Sequence, residues 1–361
     1  MNKITLIAGA RPNFMKIAPI IHAIQSVQET TNISFRLVHT GQHFDEKMSA
    51  TFFKQLNIPA PHVNLNCGGG TQAEQTAAIM VAFEKELVEK PTDLVLVVGD
   101  VTSTMACSIV AKKLQIKVTH VEAGIRSFDI TMPEEINRMV TDSITDYFFT
   151  TTLWAGKNLE KEGISKDRIF FVGNVMIDTL LANRSRFVKP DFWESLNLQE
   201  NKFLVLTLHR PANVDEGENL KLLIHEITEN VAGLPIIFPM HPRTAKVFKE
   251  LGIQAKNLHI VDPLGYLEFN YLVERAMGVI TDSGGITEET TVMGVPCITL
   301  RDNTERPETI DIGTNELIGT NPKAIKPVLE KLVNGNWKKG AIPNKWDGNA
   351  AKRIVAQLLK L

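Results

Sequence analysis

Short runs of β-branched and aromatic residues alternate along this chain with stretches whose apolar positions recur at helical spacing, the pattern of parallel strands covered by helices. The runs predict strands at Ile4–Ala8, Phe35–His39, Leu94–Val98, Val118–Val121, Tyr147–Thr150 and Ile169–Val172 in the first half. A second series follows at Phe203–Thr207, Ile236–Phe238, Leu258–Val261, Gly278–Thr281 and Cys297–Leu300. Several of these runs are apolar without alternation, as strands buried on both faces are. The expected class is α/β, with two doubly wound units in tandem and no sequence repeat between them. The helical and then polar stretch Asp178 to Asn201, which carries Pro190, is the best boundary. Residues 1–178 are expected to form one domain and 179–347 another. The last helix, 348–361, has a stripe at Ala351, Ile354, Val355, Leu358 and Leu359 that must pack on something, and packing back on the first domain would satisfy it.

Length agrees with two domains, since 361 residues exceed the size at which one core keeps growing. A formal net charge of −2 gives no reason to expect nucleic acid or an anionic membrane as partner. The longest apolar runs, such as Leu94 to Val98, are too short to span a bilayer. Near the N-terminus a short apolar run leads directly to Gly9 and Arg11, which reads as a first strand and turn and not as a secretion signal. Cys67, Cys107 and Cys297 lie far apart, so neither a disulfide scaffold nor a structural zinc site is expected, and a cytoplasmic setting fits.

Chemistry collects where strands end, the edge at which open α/β sheets place ligands. Glu122 follows the strand KVTHV, and an acid there is poorly solvated unless it has a task or a partner. Asp100 ends another strand in the same way; if the two strands are neighbours, two carboxylates project into one crevice and can divide acid and base roles. Thr102, Ser103 and Thr104 offer caps for the next helix, which is the plainer reading of that motif. Pro133 suits the first helical position, setting Glu134 on an electropositive helix start and on the same face as Arg138. An ordinary surface ion pair is the alternative for those two. Gly9 and the helix start after it favour anions, with Arg11 and Lys16 as mobile charges, yet the motif is not a dinucleotide fingerprint. Gly68-Gly69-Gly70 runs into a capping box at Thr71 and Glu74 and reads first as a plain loop. Gln42 and His43 are polar residues at the same sheet edge, His43 being read as a hydrogen-bonded residue without a catalytic part.

In the second half, His209 and Arg210 follow a strand, and the histidine offers a donor or a charge to a phosphate. Asp282-Ser283-Gly284-Gly285 ends a strand and opens a helix, so Ser283, Gly284 and Gly285 suit close approach of a phosphate to backbone N–H groups. Glu289 then suits sugar hydroxyls, and the motif reads as a seat for a nucleotide diphosphate. Arg306 adds a cation, with pairing to Glu305 or Glu308 as the plain alternative.

Taken together, GARPNFMK, GQH, GD, HVEAGIRSFD, MPEEINR, VGN, LTLHR, TDSGGITEE and RDNTERPE resemble the non-hydrolysing UDP-N-acetylglucosamine 2-epimerases over most of the chain. The resemblance implies two Rossmann-like domains facing across a cleft, as in glycosyltransferase B enzymes, and a UDP-sugar substrate with neither a redox cofactor nor a metal. It implies elimination of UDP from UDP-GlcNAc to a 2-acetamidoglucal and re-addition to give UDP-ManNAc, a precursor of surface polysaccharide. Carried over by motif, Asp100, Glu122 and Glu134 become the proton-transfer carboxylates, with His209, Arg11, Lys16 and Arg138 around the sugar and diphosphate. Ser283, Gly284, Gly285 and Glu289 are assigned to phosphate and ribose, Arg306 to phosphate, and Leu264 with Phe269 to uracil. A homodimer is the family's habit. Two departures stand out. Many members read GTRPE where this chain has Ala10 and Asn13, and the activating arginine of the bacterial mobile loop has no counterpart in Cys67 to Ala73. Alternatives within the family are an epimerase of another UDP-2-acetamido sugar or a hydrolysing relative; a two-domain glycosyltransferase is more remote.

Overall fold

The computed structural model describes residues 3–42, 53, 55–210, 213, 217–240 and 242–361, and the chain divides into two units, Met1–Ala182 with Asn344–Leu361, and Asn183–Pro343. The first unit is built on β1 (Lys3–Ala8), β2 (Ser34–His39), β3 (Val63–Asn64), β4 (Leu94–Val98), β5 (Lys117–Val121), β6 (Tyr147–Thr150) and β7 (Ile169–Phe171). They form one sheet in the order β3-β2-β1-β4-β5-β6-β7, every pair parallel. All five residues of β4 are buried, which explains its unbroken apolar run: helices cover both faces of the sheet. Strand order reverses at β1 and β4, opening the crevice beyond their carboxyl ends where such sheets take ligands.

The second unit repeats the scheme with β8 (Leu204–Thr207), β9 (Ile236–Pro239), β10 (Leu258–Val261), β11 (Gly278–Thr281), β12 (Cys297–Thr299) and β13 (Asn315–Leu317). Its sheet runs β10-β9-β8-β11-β12-β13, again all parallel, with the reversal at β8 and β11. Leu204, Leu206, Ile224, Ile227, Ile280 and Ile298 pack together on one side of this sheet, and Trp193, Phe203, Val205, Leu272 and Val279 on the other.

The tail is bound into the first unit by named contacts. Trp346, 1% exposed, donates from its indole to the Thr151 carbonyl at 3.2 Å. The Asp178 carboxylate accepts from the backbone N–H groups of Ala350 and Ala351 at 3.1 and 2.7 Å, covering the open start of the helix Ala350–Leu358. Thr71 and Glu74 close their capping box, each side chain accepting from the other's backbone N–H. The hydroxyls after Asp100 behave otherwise than expected. Helix Thr102–Lys113 has no side-chain cap; Thr104 reaches back to the Val98 carbonyl and Ser103 to the Gln42 amide oxygen, tying the helix to the sheet. Among the described residues no helix is long and apolar enough to cross a membrane.

Candidate active site

In the first unit, chemistry gathers at the ends of β1, β4 and β5. After β1 the Asn13 side chain accepts from the backbone N–H groups of Gly9 and Ala10 at 3.0 and 2.9 Å and donates to the Val98 carbonyl at the end of β4. This closes the turn and starts the helix Arg11–Gln25, from whose second turn Lys16 points back to Glu122. The Lys16 Nζ to Glu122 Oε2 distance is 2.6 Å, and both residues are buried. Gly99 makes room for that ammonium: a Cβ on it would lie 2.7 Å from Lys16 Nζ, and its φ of +66° suits glycine. Glu122 itself has a φ of +71°, which costs a non-glycine residue roughly 1–3 kcal/mol and is kept where surrounding contacts hold it.

Beside this pair, Arg138 donates from Nε and Nη2 to Asp100 Oδ2 at 3.1 and 2.9 Å. Its Nη1 pairs with Glu135, whose carboxylate also accepts from the backbone N–H groups of Ser127 and Phe128. Here the structure departs from the expected pairing of Glu134 with Arg138. Glu135 is the acid turned inward, while Glu134 stands exposed on the first turn of the helix Pro133–Ile144. Behind them His120 is fully buried, its Nδ1 2.7 Å from Asp142 Oδ1 and its Nε2 2.8 Å from the Gly99 carbonyl. Burial pushes the Asp142 carboxyl up, but His120 and Arg126 outweigh it and hold the carboxyl below its ordinary range. His120 thereby joins β5, the turn before Asp100 and the helix carrying Glu134 and Arg138. A lone histidine in a buried strand carries no mark of this role; its position two residues before Glu122 on the same strand is the one signal the sequence offers.

In the second unit, Asp282 follows β11 fully buried and collects the backbone N–H groups of His209 and Arg210, the Asn213 amide, and the His209 ring at 2.6 Å from Nδ1. Burial raises this carboxyl, yet the His209 ring and the backbone donors bring it below the usual aspartate range. An anionic partner at Nδ1 fixes a proton there, so Nε2 of the exposed His209 side chain is the nitrogen left for a ligand. Ser283 precedes the helix Gly284–Met293 without capping it by its side chain. A Cβ at Gly284 would lie 2.7 Å from Glu305 Oε1, whereas one at Gly285 would meet nothing within 4 Å. Arg306 is buried and engaged by Glu288 at 2.6 Å and Glu305 at 2.8 Å, and Arg301 pairs with Glu305 at 2.6 Å. Arg306 is thus no surface pair; it belongs to a buried network under the glycine turn. Leu264 and Phe269 are partly buried and pack against the cluster around Trp193 and Leu272.

The sequence profile described as UDP-N-acetylglucosamine 2-epimerase matches residues 25–359. The chain belongs to the UDP-N-acetylglucosamine 2-epimerase family. It is similar to the UDP-N-acetylglucosamine 2-epimerase of Methanocaldococcus jannaschii, with 44% identity over 98% of each chain. A crystal structure of the M. jannaschii UDP-GlcNAc 2-epimerase in complex with UDP-GlcNAc and UDP shares 43% identity and a TM-score of 0.88, covering 99% of this chain and 100% of that one. A Pseudomonas aeruginosa relative, a UDP-2,3-diacetamido-2,3-dideoxy-D-glucuronate 2-epimerase, is 40% identical over 99% of this chain and all of its own. The two-domain, glycosyltransferase B-like class expected of this 2-epimerase family agrees with the two parallel sheets and with these neighbours.

Within the family's first domain, then, Lys16, Asp100, Glu122 and Arg138 are brought together in two adjoining ion pairs, with Glu134 exposed nearby on the helix that carries Arg138. In the second, His209, Ser283, Gly284, Gly285 and Arg306 share the ends of β8 and β11 and the network below them, and Glu289 is buried deeper in the same helix. Arg11 opens its helix, but its side chain lies outside the described residues, as does His43 altogether. Glu135 and His120 with Asp142 hold the groups of the first domain's site and were passed over by sequence reasoning, while Asp282 was named in its motif without a role of its own. Of these, Asp282 carries the same strand-end signal as Asp100.

Proposed function

We propose that this epimerase interconverts UDP-GlcNAc and UDP-ManNAc, supplying a cytoplasmic precursor of surface polysaccharide, and that it works as a homodimer. Carbon 2 of the sugar is not next to a carbonyl, so its proton is not acidic enough to be removed alone. Loss of that proton together with the C1–O bond to UDP forms the C1–C2 double bond of 2-acetamidoglucal. Return of a proton to the other face of C2 and of the UDP oxygen to C1 completes the inversion. Asp100, Glu122 and Glu134 are the groups proposed to take and give the proton. His209, Arg11, Lys16 and Arg138 steady the diphosphate as it departs, with Ser283, the N–H groups of Gly284 and Gly285, and Arg306. Glu289 receives the ribose hydroxyls, and the Leu264 backbone and Phe269 border the uracil.

The observation that carries the reading is the pair of strand-end carboxylates, Asp100 after β4 and Glu122 after the neighbouring β5, each held by its own cation beside the sheet's reversal point. Two acids on adjacent strands in unlike settings suit a reaction that needs one proton acceptor and one donor. The 40% identity to the P. aeruginosa enzyme favours a second reading, the same C2 inversion on a UDP-2,3-diacetamido uronate.

Parallel incubations in D2O with UDP-GlcNAc and with the UDP-2,3-diacetamido uronate, followed by NMR, test the choice. The expected product is UDP-ManNAc carrying deuterium at C2. Free ManNAc with UDP would indicate a hydrolysing enzyme, and label entering only the diacetamido uronate would support the second reading. An unlabelled UDP-GlcNAc pool after prolonged incubation sinks the first.

A further inference from the structure

Tyr266 has no part in the chemistry above, yet it touches the acid to which the ribose is assigned. It opens the helix Tyr266–Arg275 and is 6% exposed, and its hydroxyl donates to Glu289 Oε1 at 2.9 Å. Asn270, four residues on and fully buried, donates from its amide to the Tyr266 carbonyl at 3.2 Å and also hydrogen-bonds Glu289. The direction of the phenol bond is fixed by chemistry. Burial first, and then the Glu289 charge, push the Tyr266 hydroxyl well above its ordinary range, so it keeps its proton and donates it. Burial likewise pushes Glu289 up to about 7, against the pull of Tyr266 and Asn270, with Glu288 adding to the rise. A buried carboxylate in that setting relies on its donors both to stay ionised and to keep one orientation.

We propose that Tyr266 is a specificity-determining positioning residue: by holding Oε1 of Glu289 it fixes the carboxylate as an acceptor for ribose hydroxyls, and so makes the site prefer ribonucleotide over 2′-deoxyribonucleotide diphosphates. A carboxylate locked in place and dried by its surroundings is left unmatched when a hydroxyl is missing, which is how polar sites reject analogues lacking a group. Without the phenol the carboxylate can turn or take up a proton, and the missing hydroxyl then costs less. This rests on the assignment of ribose to Glu289.

The experiment is calorimetric titration of UDP and of 2′-deoxy-UDP into the full-length wild type, Tyr266→Phe, Glu289→Gln and the double variant. Because both ligands carry the same diphosphate, the ratio of their affinities isolates the ribose. The wild type should prefer UDP by on the order of tenfold or more, the worth of one charged hydrogen bond. Tyr266→Phe should bring the preference to within about threefold, and adding it to Glu289→Gln should change nothing further, since both act through one carboxylate. A wild type without preference overturns the ribose assignment and the proposal with it. A preference that survives Tyr266→Phe, or equal loss of affinity for both ligands, overturns the proposal alone. So does a further change of the ratio in the Glu289→Gln background. None of these outcomes depends on the sugar, which the deuterium experiment tests separately.

Discussion

Glu122→Gln removes a charge and almost no volume from a buried ion pair. The Lys16 ammonium and the Glu122 carboxylate are 2.6 Å apart, with the residues 6% and 3% exposed, and the Gly99 backbone lies over the ammonium. Were this a surface pair, its loss would cost about 1 kcal/mol at most. For a buried pair the cost is that of an uncompensated charge, roughly 3–5 kcal/mol. Each kcal/mol shifts the melting midpoint of a domain this size by roughly 2–4 °C, so the first unit should melt roughly 6–20 °C lower. The companion variant decides the cause: in Lys16→Met/Glu122→Gln no charge is left stranded, and most of the loss should return. Turnover, followed as deuterium entry at C2, should be lost in both. Scanning calorimetry beside the NMR assay makes the comparison. A Glu122→Gln protein melting within about a degree of wild type, or a double variant as unstable as the single one, would refute the ion-pair account even if turnover vanished.

The glycine turn of the second unit offers a paired test. Gly285→Ala meets nothing within 4 Å, so its melting point should hold or rise slightly, while UDP affinity should fall about tenfold if a phosphate comes close to that backbone. Gly284→Ala should lower both, because its methyl would displace Glu305 from Arg301 and Arg306; titration calorimetry and thermal melts read the two effects. Asp178 gives a pH dependence. Burial raises its carboxyl from 3.8 to about 6 against the two N–H donors of the last helix, so the folded chain binds that proton more tightly than the unfolded one. Its contribution to stability is therefore fully present below about pH 4 and is lost as pH rises through about 6, a fall of about 3 kcal/mol at roughly 1.36 kcal/mol per pH step of one between those values. Asp178→Asn should flatten that part of the urea-denaturation profile relative to wild type; an unchanged slope would show that the carboxyl does not titrate there.

The sequence by itself determined the class, eleven of the strands and the strand-end positions of Asp100, Glu122, His209 and Ser283, because buried parallel strands need unbroken apolar runs and whatever follows such a run stands at the sheet's edge. It did not reveal β3 and β13, edge strands of two and three residues whose pairing comes from a neighbour and not from their own pattern. Only tertiary structure decided which of two adjacent acids turned inward. Glu134 and Glu135 stand equally at a helix start in the sequence, and the Ser127 and Phe128 amides with Arg138 select Glu135. The same holds for Thr104 and Ser103, which serve the sheet and Gln42 where local pattern suggested caps. Periodicity is a local property that the chain carries wherever it goes. A partner for a buried charge is set by strand order, which brings Lys16 to Glu122 across 106 residues and leaves no mark at either position.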